Sequence, residues 1–371
     1  MKKIFMLAAM AATIFAVSCN RAQGPALDEE EDNTPVAVKF SANAAVVTGV
    51  TKAAVDEFTG TETLYIYGID QEGNILIDNV PADSPVLEAT PTGGDPIKEG
   101  IDVWDPAYAP EEVPFFYGAN GEVYDFYGYY VGDALDAPDP DDNLALDVEF
   151  DGTNDIMLAT TDKVADYETR TSDFNESTVY SAKAARKGVQ PNLIFKHQLS
   201  RFVFTLQFRP QDRVDEAQLI TIQGITLWTP SKTVTLDIDD QTTTFAGDEA
   251  TFELKNEDGT TYTDGEINTT DWTQAGESIM VAPGESVYHM TMSYEYEYNG
   301  VQLVNLPPFE WDINLPALID GADADYKAEA GKKYIVKLVV YGPEEVKISV
   351  SLEEWDEVEL NEIDPDAEDE E

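Results

Sequence analysis

The sequence predicts an all-β protein built as two β-sandwiches in series. Apolar and polar residues alternate in many short segments, most clearly at residues 290–298 and 346–352, and a period of two is typical of strands with one buried face. Turn residues such as Asn299-Gly300 separate these segments, and almost no segment has a helical period. A chain of 371 residues favours two domains over one.

Each predicted strand depends on its own run of alternating, β-branched or aromatic residues. In chain order the predicted strands lie at residues 35–45, 64–69, 75–77, 115–117, 123–131, 155–159, 193–208, 220–227, 233–238, 251–254, 278–281, 286–298, 334–341, 346–352 and 355–360. A short helix is predicted at residues 181–187, and residues 70–74 carry the turn chemistry of a hairpin.

Two further features concern the middle of the chain. The inward-facing parity changes between His197 and Phe202, which predicts a β-bulge near Ser200. The domain boundary is expected in a polar stretch, so that residues 35–188 form the first sandwich and residues 189–360 the second. Residues 361–371 form an acidic tail.

The N-terminus has the pattern of a cleaved leader. Lys2 and Lys3 precede an apolar stretch at residues 4–17 that is too short to span a bilayer, and small residues precede Cys19. This spacing resembles the lipobox of bacterial lipoproteins, so we expect a signal peptide at 1–18 and acyl chains such as palmitate on Cys19. The alternative is an ordinary secretory signal with an incidental cysteine.

Residues 19–34 are polar and contain a run of five acidic residues at 28–32. Such a run stays solvated, which predicts an extended acidic tether. The run also resembles the export signal that sends lipoproteins of the Bacteroidetes to the outer cell surface. We therefore expect an outer-membrane lipoprotein that faces the cell exterior.

The formal net charge of −51 bounds the choice of partners. Nucleic acid is an improbable partner because its phosphates carry the same sign of charge. An acidic, soluble exterior explains the charge. Cys19 is the single cysteine, so no disulfide is available and stability must come from packed sheet cores.

The sequence offers little catalytic or metal-binding chemistry. His197 and His289 are the only histidines, and the single cysteine is expected to be acylated, so we expect no metal and no cofactor. His197 is interpreted as a hydrogen-bonded core residue. With 73 acidic residues, carboxylate pairs arise by chance, and phosphate-binding or nucleophile-elbow motifs are missing. The sequence therefore predicts a protein that is not an enzyme.

One acidic loop superficially resembles a calcium site. Asp139, Asp141 and Asn143 have suitable spacing, but Leu144 and Phe150 occupy the positions where a helix-loop-helix site needs Gly and Glu. An irregular calcium site in this loop is left open.

The tyrosines of one predicted strand allow a second function. Tyr124, Tyr127, Tyr129 and Tyr130 could stack on sugar rings if they were exposed in a row. The alternative is cross-strand packing inside a core. An exposed row would indicate a non-polymerising surface lipoprotein that binds glycans.

Several segments, in order, form a pattern that runs from the leader to the last predicted strand. The lipobox is followed by a first strand and by Thr51-Lys52-Ala53. The segments that follow are Asp155-Ile156-Met157-Leu158-Ala159, Leu193-Ile194-Phe195-Lys196-His197-Gln198-Leu199-Ser200-Arg201, Ala330-Gly331-Lys332-Lys333-Tyr334 and the closing Trp355. Their order and spacing resemble the fimbrillins of the Bacteroidetes, which often carry Thr-Arg-Ala after the first strand, and the resemblance spans most of the mature chain.

The resemblance implies two transthyretin-like β-sandwich domains and a structural subunit of surface fimbriae. In polymerising fimbrillins a protease cuts after the first strand, and an extended segment of another subunit fills the groove that remains, which is a form of strand addition. The partners implied are other fimbrial subunits and a ligand on a host or bacterial surface.

Carried over to this sequence, the resemblance assigns three groups of residues. The removable strand would use Val36, Val38 and Phe40 as its inward residues, and cleavage would fall between Lys52 and Ala53. The donor segment would surround Trp355, Val358 and Leu360. Lys52 replaces the usual Arg, and the donor segment is strongly acidic, so stalk, tip and anchor roles all stay open.

Overall fold

The computed structural model describes most of the chain after residue 34. The described residues are 35–40, 62–83, 87–88, 97–98, 101–102, 115–118, 122–132, 140, 144–161, 180–186, 191, 193–208, 218–263, 272–303, 306–342, 345–354 and 358–359. Pro35–Glu371 is one compact unit.

Almost all regular structure in these residues is β. The strands before the first helix are β1 Lys39–Phe40, β2 Thr63–Asp70, β3 Ile75–Asp83, β4 Leu87–Glu88, β5 Ile97–Lys98, β6 Ile101–Asp102, β7 Tyr124–Tyr130, β8 Ala145–Glu149 and β9 Met157–Thr160. Helix α1, Ala182–Ala185, follows. The later elements are β10 Ile194–His197, β11 Ser200–Phe208, β12 Gln218–Thr229, β13 Thr233–Asp237, β14 Thr242–Phe245, β15 Ala250–Glu253, β16 Thr273–Val281, β17 Val287–Tyr298, β18 Val301–Leu303, β19 Phe309–Asn314, α2 Leu315–Leu318, β20 Lys332–Gly342, β21 Glu345–Glu354 and β22 Val358–Glu359. The all-β prediction is confirmed.

Local chemistry forms the turns that the sequence predicts. The β2–β3 turn is held by the Asp70 carboxylate, which accepts hydrogen bonds from the backbone N–H groups of Glu72 and Asn74. Between β17 and β18, Asn299 and Gly300 have φ values of +50° and +75°, as a two-residue hairpin turn requires. Both hairpins are confirmed.

The larger sheets combine strands that are distant in sequence. The six-stranded sheet has the order β22-β10-β9-β7-β2-β3, and a four-stranded sheet has the order β16-β11-β20-β21. A five-stranded sheet contains β15-β12-β17-β18 with β19 also paired to β17, and a three-stranded sheet has the order β14-β13-β8. Within the four-stranded sheet, β11 and β20 run parallel.

Both faces of the six-stranded sheet are buried. Leu64 and Phe126 on one face belong to a cluster that also contains Val38, and we call this cluster the first-strand core. Tyr67 and Tyr129 on the other face belong to a larger cluster, the main core, which continues through the sheets of the second half of the chain. Side chains alternate across a strand, so β2 and β7 serve both cores at once.

Strand pairing crosses the boundary that the sequence predicts at residues 188/189. Strand β10 pairs with β9 in the six-stranded sheet, although it follows the boundary. Strand β8, which precedes the boundary, pairs with β13 over five residue pairs. The division of the chain into two serial domains stays a prediction.

The change of parity near Ser200 has a different cause from the predicted bulge. The chain leaves the six-stranded sheet after His197 and enters the four-stranded sheet at Ser200. Because the two strands belong to different sheets, both sets of side chains face a core without an inserted residue. The register shift within β11 lies further on, between Val203 and Phe204.

His197, the last residue of β10, contacts Asp155, which lies just before β9. Its Nδ1 atom lies 3.0 Å from Oδ2 of Asp155, and the two side chains are 0% and 1% exposed. The prediction of a hydrogen-bonded core histidine is confirmed. The two sequence segments that contain these residues therefore meet in space.

Replacement of either buried partner is expected to destabilise the fold strongly. Asp155→Ala or His197→Ala removes one member of a fully buried pair, which should lower the free energy of unfolding by about 3 kcal/mol or more. The chain supplies a matched control in His289 and Asp312, 2.7 Å apart with side chains 61% and 68% exposed. His289→Ala should cost less than about 1 kcal/mol. Denaturant unfolding measures both, and equal costs would contradict the assignment of Asp155–His197 as a core interaction.

Candidate functional site

The strongest candidate site is the place where the first strand is held. Val38 donates its backbone N–H to the carbonyl of Phe115 at 2.8 Å, and Tyr117 donates to the carbonyl of Val36 at 2.9 Å. Further along, β1 pairs with β6, with Lys39 opposite Asp102. Residues 36–40 therefore have backbone partners along their whole length. We call the site that holds this strand the first-strand groove. It is formed by residues 115–117, β6 and the adjoining face of the six-stranded sheet.

Alternate side chains of the first strand fill the groove. Val38 is 3% exposed and Phe40 is 0% exposed, while Val36 is partly buried at the margin of the same core. The ring of Phe40 meets the ring of Phe126 edge to face, with centroids 5.1 Å apart. Full burial of such side chains contributes about 1.5–3 kcal/mol each. The three residues predicted as inward-facing are the ones that contact the core.

Tyr117 forms an aromatic wall of the groove. Its ring lies 5.5 Å from the ring of Tyr124 and 6.2 Å from that of Phe126. Burial raises the pKa of the Tyr117 phenol far above its ordinary value, and the neighbouring phenols of Tyr180 and Tyr124 raise it further. The residue is only 5% exposed.

The Tyr117 hydroxyl has no hydrogen-bond partner among the residues that the structure describes. The neighbouring hydroxyl of Tyr124 differs, because it donates to Glu122 at 2.9 Å and accepts from the backbone N–H of Gly118 at 2.7 Å. Burial is also the main reason why the pKa of Tyr124 rises, to about 12. An unsatisfied buried hydroxyl costs about 1–3 kcal/mol.

Two residues of the predicted donor segment, Val358 and Glu359, pair with β10 of the six-stranded sheet. Strand β22 pairs antiparallel with β10, with Val358 opposite Phe195 and Glu359 opposite Ile194. The ladder contains these two residue pairs, so few backbone hydrogen bonds hold it. Trp355 and Leu360 lie outside the described residues.

The tyrosine row does not form a sugar platform. Tyr124 and Tyr130 face the first-strand core, whereas Tyr127 and Tyr129 face the main core, and all four are buried. Tyr129 stacks on Tyr65 with ring centroids 5.0 Å apart. Of the two alternatives that the sequence left open, glycan stacking is therefore wrong and packing inside a core is confirmed, because β7 is an interior strand of a sheet with two covered faces.

Several other sequence predictions fall outside the described residues. These are the signal peptide at 1–18, Cys19, the tether at 19–34, Lys52, Ala53, Asp139, Asp141, Asn143 and the tail at 361–371. In the ranges that the structure does describe, no group of three or more His, Cys, Asp or Glu is placed to hold a metal ion. Within the same residues, neither helix has the length or apolar character to cross a membrane.

Sequence reasoning missed the residues that line the groove. Phe115 and Tyr117 alternate with Phe116, which is 46% exposed. This alternation matches that of Val36 and Val38 on the opposing strand and can be read from the sequence. The pairing of the two segments cannot be read from the sequence, because nearly eighty residues separate them.

Phe40 is expected to make the largest contribution to the stability of the first strand in its groove. Phe40→Ala removes a fully buried ring and should lower the free energy of unfolding of the first-strand core by about 3–5 kcal/mol. Phe116→Ala is the matched control, since its exposed ring lies on the neighbouring segment, and should change stability by less than about 1 kcal/mol. Chemical denaturation and the rate of limited proteolysis report both changes. Equal effects of the two variants would show that Phe40 does not anchor the strand.

Comparison with known proteins identifies the family. A fimbrillin-like family model matches residues 51–355. A cell adhesion protein of Bacteroides uniformis, described as putative, has 15% sequence identity and a TM-score of 0.51, covering 87% of this chain and 99% of its own. That likeness supports the fold. No curated protein matches the sequence.

Two structures from Porphyromonas gingivalis are more distant. The fimbrial anchor protein Mfa2 has 11% identity and a TM-score of 0.34, covering 86% of this chain and 97% of its own. The tip fimbrial protein Mfa3 has 13% identity and a TM-score of 0.39, covering 86% and 98%. The family model spans more than four fifths of the sequence. The chain therefore belongs to the fimbrillin-like family and is a protein of the fimbrial-subunit type.

Proposed function

We propose that the chain is a non-enzymatic structural subunit of cell-surface fimbriae that joins other subunits by strand exchange. The observation that supports this proposal most strongly is the first-strand groove, in which Val38 and Phe40 are buried along a short paired segment. A strand held in this way can be replaced by another strand of similar alternation. Family membership supports association with other fimbrial subunits.

Loss of the first strand creates a defined binding site. The carbonyl of Phe115 and the N–H of Tyr117 lose their backbone partners, and the pocket beside Phe126 becomes empty. An incoming strand restores both the backbone hydrogen bonds and the apolar contacts. The unpaired edge is an unstable surface by itself, which supplies the driving force for addition.

The rest of the protein is expected to stay folded when the first strand leaves. The six-stranded sheet is covered on its other face by the main core, to which Tyr67 and Tyr129 contribute. Removal of Val38 and Phe40 exposes one face of this sheet and leaves the opposite contacts in place. The groove can therefore open without loss of the main core.

The C-terminal segment is the proposed donor. Val358 and Leu360 supply alternating apolar residues, and Trp355 precedes them. In the single chain Val358–Glu359 lies on β10, and two residue pairs hold it there. Release from this edge costs little compared with the burial gained in the groove of another subunit.

Processing connects the groove to membrane attachment. Acylated Cys19 holds the precursor in the outer membrane, and cleavage between Lys52 and Ala53 separates the lipid and the first strand from the rest of the chain. Without cleavage, the lipid stays attached and the subunit serves as an anchor. A protease that accepts lysine is required, because Lys52 stands where many fimbrillins carry arginine.

Cleavage and assembly are tested on protein taken from the native cell surface. Mass spectrometry is expected to find a mature N-terminus at Ala53, and Lys52→Gln should preserve the precursor and reduce fibre assembly. Lys347→Gln, a change at an exposed lysine, is the matched control and should leave both unchanged. Surface protein that begins only at acylated Cys19 would contradict the cleavage step.

The donor is tested by two truncations. A chain that ends at Glu354 lacks the donor segment and is expected to remain folded but not to extend fibres. A chain that ends at Ile363 lacks only residues 364–371 of the acidic tail and should assemble normally. Fibres of normal length from the shorter chain, seen by electron microscopy, would contradict the assignment of the donor.

A further inference from the structure

The first strand, which we call the resident strand while it occupies its own groove, leaves the Tyr117 hydroxyl of the groove without a hydrogen bond to any described residue. The Tyr117 hydroxyl is buried and has no hydrogen-bond partner within the described ranges. Its cross-strand neighbour is Val36, because Ala37 lies opposite Phe116 in the antiparallel bridge. Cross-strand neighbours on one face contact each other directly, and valine has no hydrogen-bonding group in its side chain. The resident strand is therefore an imperfect occupant of its own groove.

The C-terminal segment carries the complementary pattern. Val358 and Leu360 are flanked at a spacing of two by Asp356 and Glu362. In an extended strand these four side chains share one face. On this face, the acidic residues of the segment therefore occupy only the two flanking positions, Asp356 and Glu362.

Both strand directions place a carboxylate beside Tyr117. In the direction of the resident strand, Val358 and Leu360 take the places of Val38 and Phe40, and Asp356 takes that of Val36. In the opposite direction the apolar pair is reversed, and Glu362 takes the place of Val36. This result follows from the symmetry of the sequence around Val358 and Leu360.

We propose that the Tyr117 hydroxyl determines the specificity of the groove by donating a hydrogen bond to the carboxylate of Asp356 or Glu362 from a second copy of this chain. The inference rests on the proposed strand exchange. A hydrogen bond from a neutral hydroxyl to a carboxylate is stronger than one between neutral groups. The exchange then gains a contact that the resident strand lacks.

Burial along the groove also selects the register. Val36 is partly buried, so a carboxylate in its place keeps contact with water while it accepts the Tyr117 hydrogen. Phe40 is fully buried against Phe126. A shift by two residues puts a carboxylate in the place of Phe40 or, in the other sense, of Val38, and an uncompensated charge is strongly unfavourable at either buried position. A single register is therefore preferred in each direction.

The test uses the full chain with Cys19→Ser and a recognition site for a sequence-specific protease at residues 47–52. After the cut, a synthetic peptide of residues 353–365 displaces the fluorescently labelled first-strand fragment, and the release gives its dissociation constant. Tyr117→Phe is expected to weaken peptide binding about tenfold. Tyr127→Phe, the same change on the opposite face of the sheet, should leave binding unchanged.

Two peptide variants that lose the same amount of charge complete a double-mutant cycle between the peptide and Tyr117. The peptide with Asp356→Leu and Glu362→Leu should bind the Tyr117 and Tyr117→Phe chains equally. The peptide with Glu357→Leu and Glu359→Leu alters the other strand face and should keep the tenfold difference. Equal binding of the unmodified peptide to both chains would overturn the role of Tyr117 and leave strand exchange standing. Failure of every peptide to displace the fragment would overturn strand exchange and this inference together.

The uncut chain gives an independent measurement. The resident strand does not satisfy the Tyr117 hydroxyl, so Tyr117→Phe should leave the melting temperature of the uncut chain unchanged or raise it. A fall of several degrees would show that the resident state already uses this hydroxyl and would overturn the proposal.

Discussion

The structure depends on a six-stranded sheet whose two faces are buried in different cores. In β2, Leu64 and Ile66 face the first-strand core, while Tyr67 faces the main core. Burial on both sides requires nearly every residue of the interior strands to be apolar or aromatic, which explains the tyrosine-rich sequence of β7. The stability of the sheet therefore depends on two separate sets of contacts, one on each face.

This division is what the proposed strand exchange requires, because a subunit must lose its first strand and stay folded. The contacts of Val38 and Phe40 belong to one face, and loss of these contacts leaves the Tyr129 side of the sheet covered. The same sheet carries β22 on its β10 edge. The first-strand groove and the two described residues of the proposed donor segment therefore both involve this one sheet.

Local features of this fold could be predicted from the sequence, and long-range pairings could not. The Asp70 turn and the Asn299-Gly300 turn depend on neighbouring residues, and alternation located most of the strands. The pairing of β8 with β13 joins residues more than eighty positions apart, and no local signal records it. The sequence left two alternatives open for Tyr127 and Tyr129, exposure or burial, for the same reason: the layer that covers them comes from distant strands. At the site, alternation found the inward residues of the first strand but not their partner Tyr117.

The central claim is that the first strand can leave while the main core persists, and hydrogen–deuterium exchange tests it most directly. The measurement compares the full chain before and after the cut first-strand fragment is displaced. The amide of Tyr117, which donates to Val36, is expected to lose its protection, whereas the amides of β8 and β13 keep theirs. Loss of protection throughout β8 and β13 would contradict the account, because it would mean that the two faces of the sheet unfold together.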